Sequence, residues 1–231
     1  KKEEESSKSF HNGLIMATIF AFPVTLIGWA YTDQIVPLFL EDQTTIFLAV
    51  EYTSIAFISL LFSVYSFVFV GFYTGVEKTK IHMTVTIISN IINLYLNAAL
   101  IYGSEGIELF FREQIPSLSF LKVAWGWMHF PAMGVKGAAF ATLVASVWMA
   151  AHYGFYLFSK EIRTRFKVFS FSFNKKMMRK QLQLAIPMGV QECIIAFGWT
   201  FFLKIVGIIG VVELATTHII FTIMHASFMP A

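Results

Sequence analysis

The sequence predicts an all-α integral membrane protein, a polytopic helix bundle, on three observations. Of its 231 residues 57% are hydrophobic and 13% charged, with a mean hydropathy of +0.68, whereas a soluble domain carries about 25% charged residues. The charges gather in connections separated by apolar gaps, each long enough for the ~20 residues that a helix needs to cross hydrocarbon. The gaps lack the period-2 alternation of barrel strands, and only helices and closed barrels satisfy their backbone in lipid.

The first connection, Lys1–Ser9, holds three Lys and three Glu, and the gap Ser9–Thr32 follows. This charged and polar start, with so long an apolar stretch behind it, does not read as a signal peptide. A start without Met and an apolar end at Met229-Pro230-Ala231 give the expectation of a fragment. Asp33–Glu51 carries Asp33, Glu41, Asp42 and Glu51 and no base, and Tyr52–Val76 is the second span. Glu77–Lys80 adds Lys78 and Lys80 before the third span, Ile81–Ser104. The connection to Lys136 is mixed in charge. Its part from Ser104 to Pro131 holds Phe110, Phe111, Trp125, Trp127 and Phe130, aromatics suited to the headgroup level, so it is expected to lie along the outer interface.

The fourth span is Gly137–Ser159. Between Ser159 and Lys180 stand Lys160, Arg163, Arg165, Lys167, Lys175, Lys176, Arg179 and Lys180 against Glu161 alone. The fifth span, Gln181–Leu203, is interrupted by Glu192 and continues past Lys204 to Gly210; Leu214–Ala231 is an incomplete sixth. Pro23 and Pro187 are expected to kink their helices. By the positive-inside rule the first, third and fifth connections are cytoplasmic. The basic stretch reads as a solvated linker touching anionic headgroups. It sets the expected boundaries: a first lobe over 1–158, a cytoplasmic linker over 159–181, and the start of a second lobe over 182–231.

The third span carries chemistry. Thr86, Asn90, Asn93 and Asn97 fall within an arc of roughly 60° on one face. Carboxamides facing lipid are costly, so the stripe must face protein or water. Two readings stand: interhelical hydrogen bonds, or a cage in which amide oxygens one turn apart coordinate a hard cation. On the fourth span Gly134, Ala138, Ala141 and Ala145 share a face that favours close helix packing, with the hydroxyl of Thr142 at its edge. Glu192 is the carboxylate well inside a span, a candidate proton or cation group, grouped with Gln191 and Trp199 as candidate substrate residues. The single cysteine, Cys193, excludes an internal disulfide. His218 and His225 have no ligand cluster beside them, and no nucleotide loop, nucleophile elbow or zinc motif is present.

Several pieces, in order, resemble the multidrug and toxic compound extrusion (MATE) family of cation-coupled exporters. Gly71 to Lys80 resembles the Gly-rich turn before the family's fifth helix. Asn93-Leu94-Tyr95-Leu96-Asn97, with Gly103 after it, resembles the fifth-helix motif. Gly134-Val135-Lys136-Gly137-Ala138-Ala139, then Ala141-Thr142, resembles the opening of the sixth. Ile186 to Gln191, then Gly207 to Ala215, resembles the seventh and its turn into the eighth.

The resemblance implies two six-helix lobes in the full-length protein, of which this chain holds helices three to eight of twelve: 3–6 in the first lobe and 7–8 in the second. It implies a secondary active antiporter that exports organic cations in exchange for Na+ or H+ by alternating access. The coupling cation would sit at Asn93, Asn97 and Thr142, with Tyr52 from the fourth helix and an acid from the first. Asn97 stands where many relatives carry Asp, which removes a formal charge and leaves Na+ and H+ both open. The expectation is a monomer in a bacterial inner membrane, without cofactor, enzymatic activity or nucleic acid. The rivals are a lipid-linked sugar flippase of the same superfamily, which would need a cationic lumen where the spans offer Lys204 alone, and a membrane-embedded enzyme or receptor.

Overall fold

A computed structural model describes residues 2–40, 42–113, 116–166 and 168–228. The chain divides into two compact units, Lys1–Asn174 and Lys175–Ala231. The first holds α1 (Lys2–Ala30), α2 (Thr32–Ile35) running into a 3-10 turn (Val36–Leu38), α3 (Gln43–Gly75), α4 (Thr79–Glu113), a 3-10 segment (Pro116–Trp125), α5 (Gly134–Leu157) and α6 (Lys160–Phe166). The second holds α7 (Lys175–Ile209) and α8 (Val211–Phe228). No strand occurs among the described residues. Among them α1, α3, α4, α5 and α7 are long and apolar enough to cross a membrane, and α8 has 18 residues.

Charge proved a poor marker of helix starts. α3 begins at Gln43, well before Tyr52, and takes Glu51 into its third turn. A carboxylate is tolerated there because Lys136 of α5 answers it at 3.1 Å. The start is set by Asp42, whose side chain accepts from the backbone N–H of Thr45 at 2.7 Å and from the Thr45 hydroxyl at 2.7 Å, satisfying a donor that the first turn leaves open. These bonds hold the Asp42 carboxyl below its usual range. Pro23 and Pro187 both lie inside helices, α1 and α7. The break found inside α4 falls at Gly103 instead, with φ 68° and ψ 175°.

In the first unit the helices neighbour one another in the order α1, α3, α5, α4. α3 and α5 run parallel, joined by Glu51–Lys136, by the hydroxyls of Ser63 and Ser146 at 3.4 Å, and by the Tyr73 hydroxyl donating to the Tyr153 carbonyl at 2.9 Å. α4 runs antiparallel to α5. Ala139 and Ala141 are completely buried and Ala145 nearly so, and Gly137 meets α4 so closely that a Cβ added to it would lie 2.2 Å from the Leu100 carbonyl oxygen. The break at Gly103 reroutes the backbone beside this contact. Ser104 N–H donates to Phe130 O at 3.0 Å instead of closing the helical turn, and Leu100 O accepts from Met133 N–H at 2.8 Å. The Ser104 N–H and the Leu100 carbonyl, both freed by the break, are thereby satisfied, as a buried backbone requires.

A core lies at the Lys78 end of the bundle. Phe10, Phe72, Tyr73, Val85 and Tyr153 pack there with Ile162, Phe166 and Val168. The last three belong to the stretch that charge alone assigns to a solvated linker. Lys160, Arg163 and Arg165 are exposed, but the apolar side chains enter the bundle. The buried His11 ring bonds through Nε2 to Val168 O at 2.7 Å, and Asn12 exchanges hydrogen bonds with the backbone of Asn174 at 2.9 and 3.3 Å. Lys78–Glu161 and Arg165–Glu3 ion pairs close the rim, and the Lys78 ammonium holds the Glu161 carboxyl below its usual range.

Candidate functional site

The α4 stripe divides into distinct environments. Asn97 Nδ2 donates to Asn93 Oδ1 at 2.9 Å, and both amides are half-buried. Asn90 is exposed, between the exposed Ile87, Ile91 and Leu94. Because an amide in hydrocarbon is costly, that flank of α4 faces water or protein in the membrane. Thr86 is bonded to His82 at 3.3 Å. Among the described residues neither Asn93 nor Asn97 bonds to another helix.

The Thr142 hydroxyl donates to Ala138 O one turn back, at 3.0 Å, and bonds to neither Asn. Depth, however, brings it level with them. With Gly137 against Leu100, Thr142 lies about 7.5 Å along the axis from that contact, and Asn97 and Asn93 about 4.5 and 10.5 Å, at 1.5 Å per residue. Thr142 thus stands level with the space between the two amides. Tyr52 stands on α3, 37% exposed, and bonds to none of the three; α5 separates α3 from α4 over most of their length.

The α4–α5 seam continues toward the Lys78 end. His82 is one turn before Thr86 and so lies on the stripe's face; Tyr153 is three turns beyond Thr142 and shares its face of α5. The two meet with His82 Nδ1 2.7 Å from the Tyr153 hydroxyl. Tyr153 is fully buried and its ring stacks on Phe69 and Tyr73, each at 5.8 Å. Extending the stripe one turn back from Thr86 finds His82 in the sequence; no spacing rule finds its partner on another helix.

On the other side of α4 the aromatic segment folds back onto Tyr95. The Trp125 ring stacks on Tyr95 at 5.2 Å and donates to its carbonyl at 3.1 Å, and the Trp127 indole donates to the Tyr95 hydroxyl at 2.6 Å. The segment borders an open cleft of about 740 Å³, lined by Ser104, Glu108, Lys122, Trp125, Trp127 and His129 among others. Tyr95 points away from the stripe, so this cleft is separate from the amide pair.

In the second unit Glu192 and Gln191 are exposed on α7. Trp199 is half-buried and packs edge-on against Phe221 of α8, at 4.3 Å and 80°, which gives it a packing role between the two helices. No contact joins these three into one constellation.

A family model described as MatE matches residues 1–99. The probable multidrug resistance protein NorM of Thermotoga maritima is 27% identical over 167 residues, which cover 71% of this chain and 30% of that protein. The chain therefore spans under a third of that curated relative's length. No solved structure matches it. The long apolar helices, the MatE match over residues 1–99 and the NorM match together support a multi-pass membrane protein similar to the multidrug and toxic compound extrusion (MATE) family.

Proposed function

We propose that the chain is part of a secondary active antiporter that exports small organic, chiefly cationic, molecules in exchange for Na+ or H+ by alternating access. The observation that carries this is the amide pair: Asn93 and Asn97 are bonded to each other and not to a second helix, with Thr142 at their depth. Structural glue would tie α4 to a neighbour. A pair satisfied within its own helix keeps its remaining lone pairs for a ligand. Three neutral oxygens are too few for a hard cation that prefers about six. Glu51 of α3, the carboxylate that meets the start of α5, is already held by Lys136. The site therefore calls for an acid from outside the described residues, with water or Tyr52 completing the shell.

The similarity to a protein named for multidrug resistance supports the substrate class, and its bacterial source supports a bacterial inner membrane. The basic connections at Lys78 and 159–180 support a cytoplasmic location for those ends. Glu192, exposed on α7, is the group that would meet a cationic substrate in the second lobe. The test is efflux of a fluorescent organic cation by the full-length protein in proteoliposomes, under a Na+ or a pH gradient. Export driven by one of them supports the reading; the absence of gradient-driven export overturns it.

A further inference from the structure

We propose that His82 is a proton-binding site at the Lys78 end of the α4–α5 seam, taking its proton from water at Nε2 while Tyr153 and Thr86 hold Nδ1. The inference rests on reading the seam as the coupling site, and it names the group there that can carry H+. Amides and alcohols do not bind a proton near neutral pH, whereas imidazole does. The unit's three other histidines are placed elsewhere, His129 at the cleft lined by Trp125 and Trp127. His11 is tied to Val168 O, and His152 stacks on Tyr156 at 5.4 Å, on another face of α5.

The proposed neutral ring carries its proton on Nδ1, a tautomer that both neighbouring hydroxyls can accept. Nδ1 faces the Tyr153 hydroxyl at 2.7 Å and the Thr86 hydroxyl at 3.3 Å. An N–H there donates to oxygens that both have lone pairs to accept it, which leaves the basic lone pair on Nε2. Nε2 has no protein partner among the described residues. Tyr153 cannot swing away, because its ring is stacked between Phe69 and Tyr73 and its carbonyl receives the Tyr73 hydroxyl. Protonation adds one proton to the Nε2 lone pair and breaks no other bond, and it turns the Nδ1–Tyr153 bond into a charge-assisted one.

The groups around the ring are few. α3 presents Tyr73, α5 presents Tyr153 with Tyr156 a turn beyond, and α4 itself presents Thr86 with Lys80 and Lys78 near its start. Glu161 of α6 is held by Lys78. No carboxylate pairs with His82 among the described residues, so the proton is a net added charge. It strengthens the α4–α5 contact at this end and biases the helix pair, which is what coupling requires.

The test is a titration of the full-length protein in lipid nanodiscs with isotope-labelled histidine, followed by NMR, with His82→Gln to identify the resonance. Followed from about pH 5 to about pH 9, His82 should change protonation state and show the Nδ1–H tautomer when neutral. Tyr153→Phe should lower the midpoint, because the charged form loses its best acceptor. Thr86→Val, the milder variant, should lower it less and serves if Tyr153→Phe fails to fold. A ring that stays in one state across this range, or a midpoint unmoved by both variants, overturns the proposal. In proteoliposomes that export, His82→Gln should abolish the dependence of rate on pH at the Lys78 side; an unchanged profile overturns the coupling role. A protein that exports no organic cation refutes the proposed function while the titration still decides His82.

Discussion

Asn97 donates its amide N–H to the side-chain oxygen of Asn93, 2.9 Å away and one turn back on the same helix. The bond orients both carboxamides toward one side without spending either on a neighbouring helix. Interhelical side-chain bonds in membranes average only ~0.6 kcal/mol, so little stability is forgone by this arrangement. What is gained is an oriented set of amide oxygens at the depth of Thr142.

Close packing of α4 on α5 is the support of that set, and Gly137 is its tightest point. Gly137→Ala would place a Cβ 2.2 Å from the Leu100 carbonyl oxygen, which has no flexible end to move. We expect a loss of roughly 1–3 kcal/mol, as for other overpacked contacts, read as a lower Tm in detergent. Gly71→Ala on α3 meets nothing within 4 Å and should be neutral or stabilising by up to about 1 kcal/mol.

The stretch after α5 is load-sharing rather than a loose tether. Phe166 is 5% exposed within the core at the Lys78 end, whereas Phe169 is 54% exposed. Phe166→Ala should cost roughly 3–5 kcal/mol, the range for core aromatics, and Phe169→Ala should leave Tm nearly unchanged. Equal, small effects of the two would return the stretch to a solvated linker.

Asp42 gives a pH-dependent prediction. Hydrogen bonds from Thr45 hold its folded-state carboxyl below the ordinary value of 3.8. Its stabilisation is therefore complete above the unfolded value and is lost as pH falls through the lower folded one. The Tm difference between wild type and Asp42→Ala should be present at neutral pH and shrink on acidification below about pH 4. Asp42→Asn should still cap α3 and show no such closure.

Much of the bundle was legible in the sequence because hydrocarbon imposes a simple length rule, and charge-free gaps follow it. The same criterion misplaced the start of α3, since it treats Glu51 as a boundary and cannot foresee Lys136. It also hid the apolar side of 160–168, where Ile162, Phe166 and Val168 are interleaved with Arg and Lys. The break at Gly103 escaped because prolines were the expected kinks; its cause is a long-range exchange with Phe130 and Met133 that no local pattern encodes. For the site, helical spacing placed Asn93 and Asn97 on one face, and the small-residue pattern placed Thr142 on a closely packed neighbour. Spacing could not separate Asn90, on an open flank, from the bonded pair.

Orientation is tested separately from mechanism. With Cys193 replaced by Ser, a cysteine placed at the exposed Ser170 should resist an impermeant thiol reagent added outside intact cells. Ready labelling would place the basic connections outside and reverse the assignment of the Lys78 end.

The central claim, that the amide pair couples an ion gradient to export, is most directly tested by export rate as a function of gradient size for Asn93→Ala and Asn97→Ala in the full-length protein, with Tm measured alongside. The account predicts that each variant loses gradient-driven export while its Tm falls little. Wild-type export with unchanged ion dependence in both variants would contradict it and place the coupling site elsewhere.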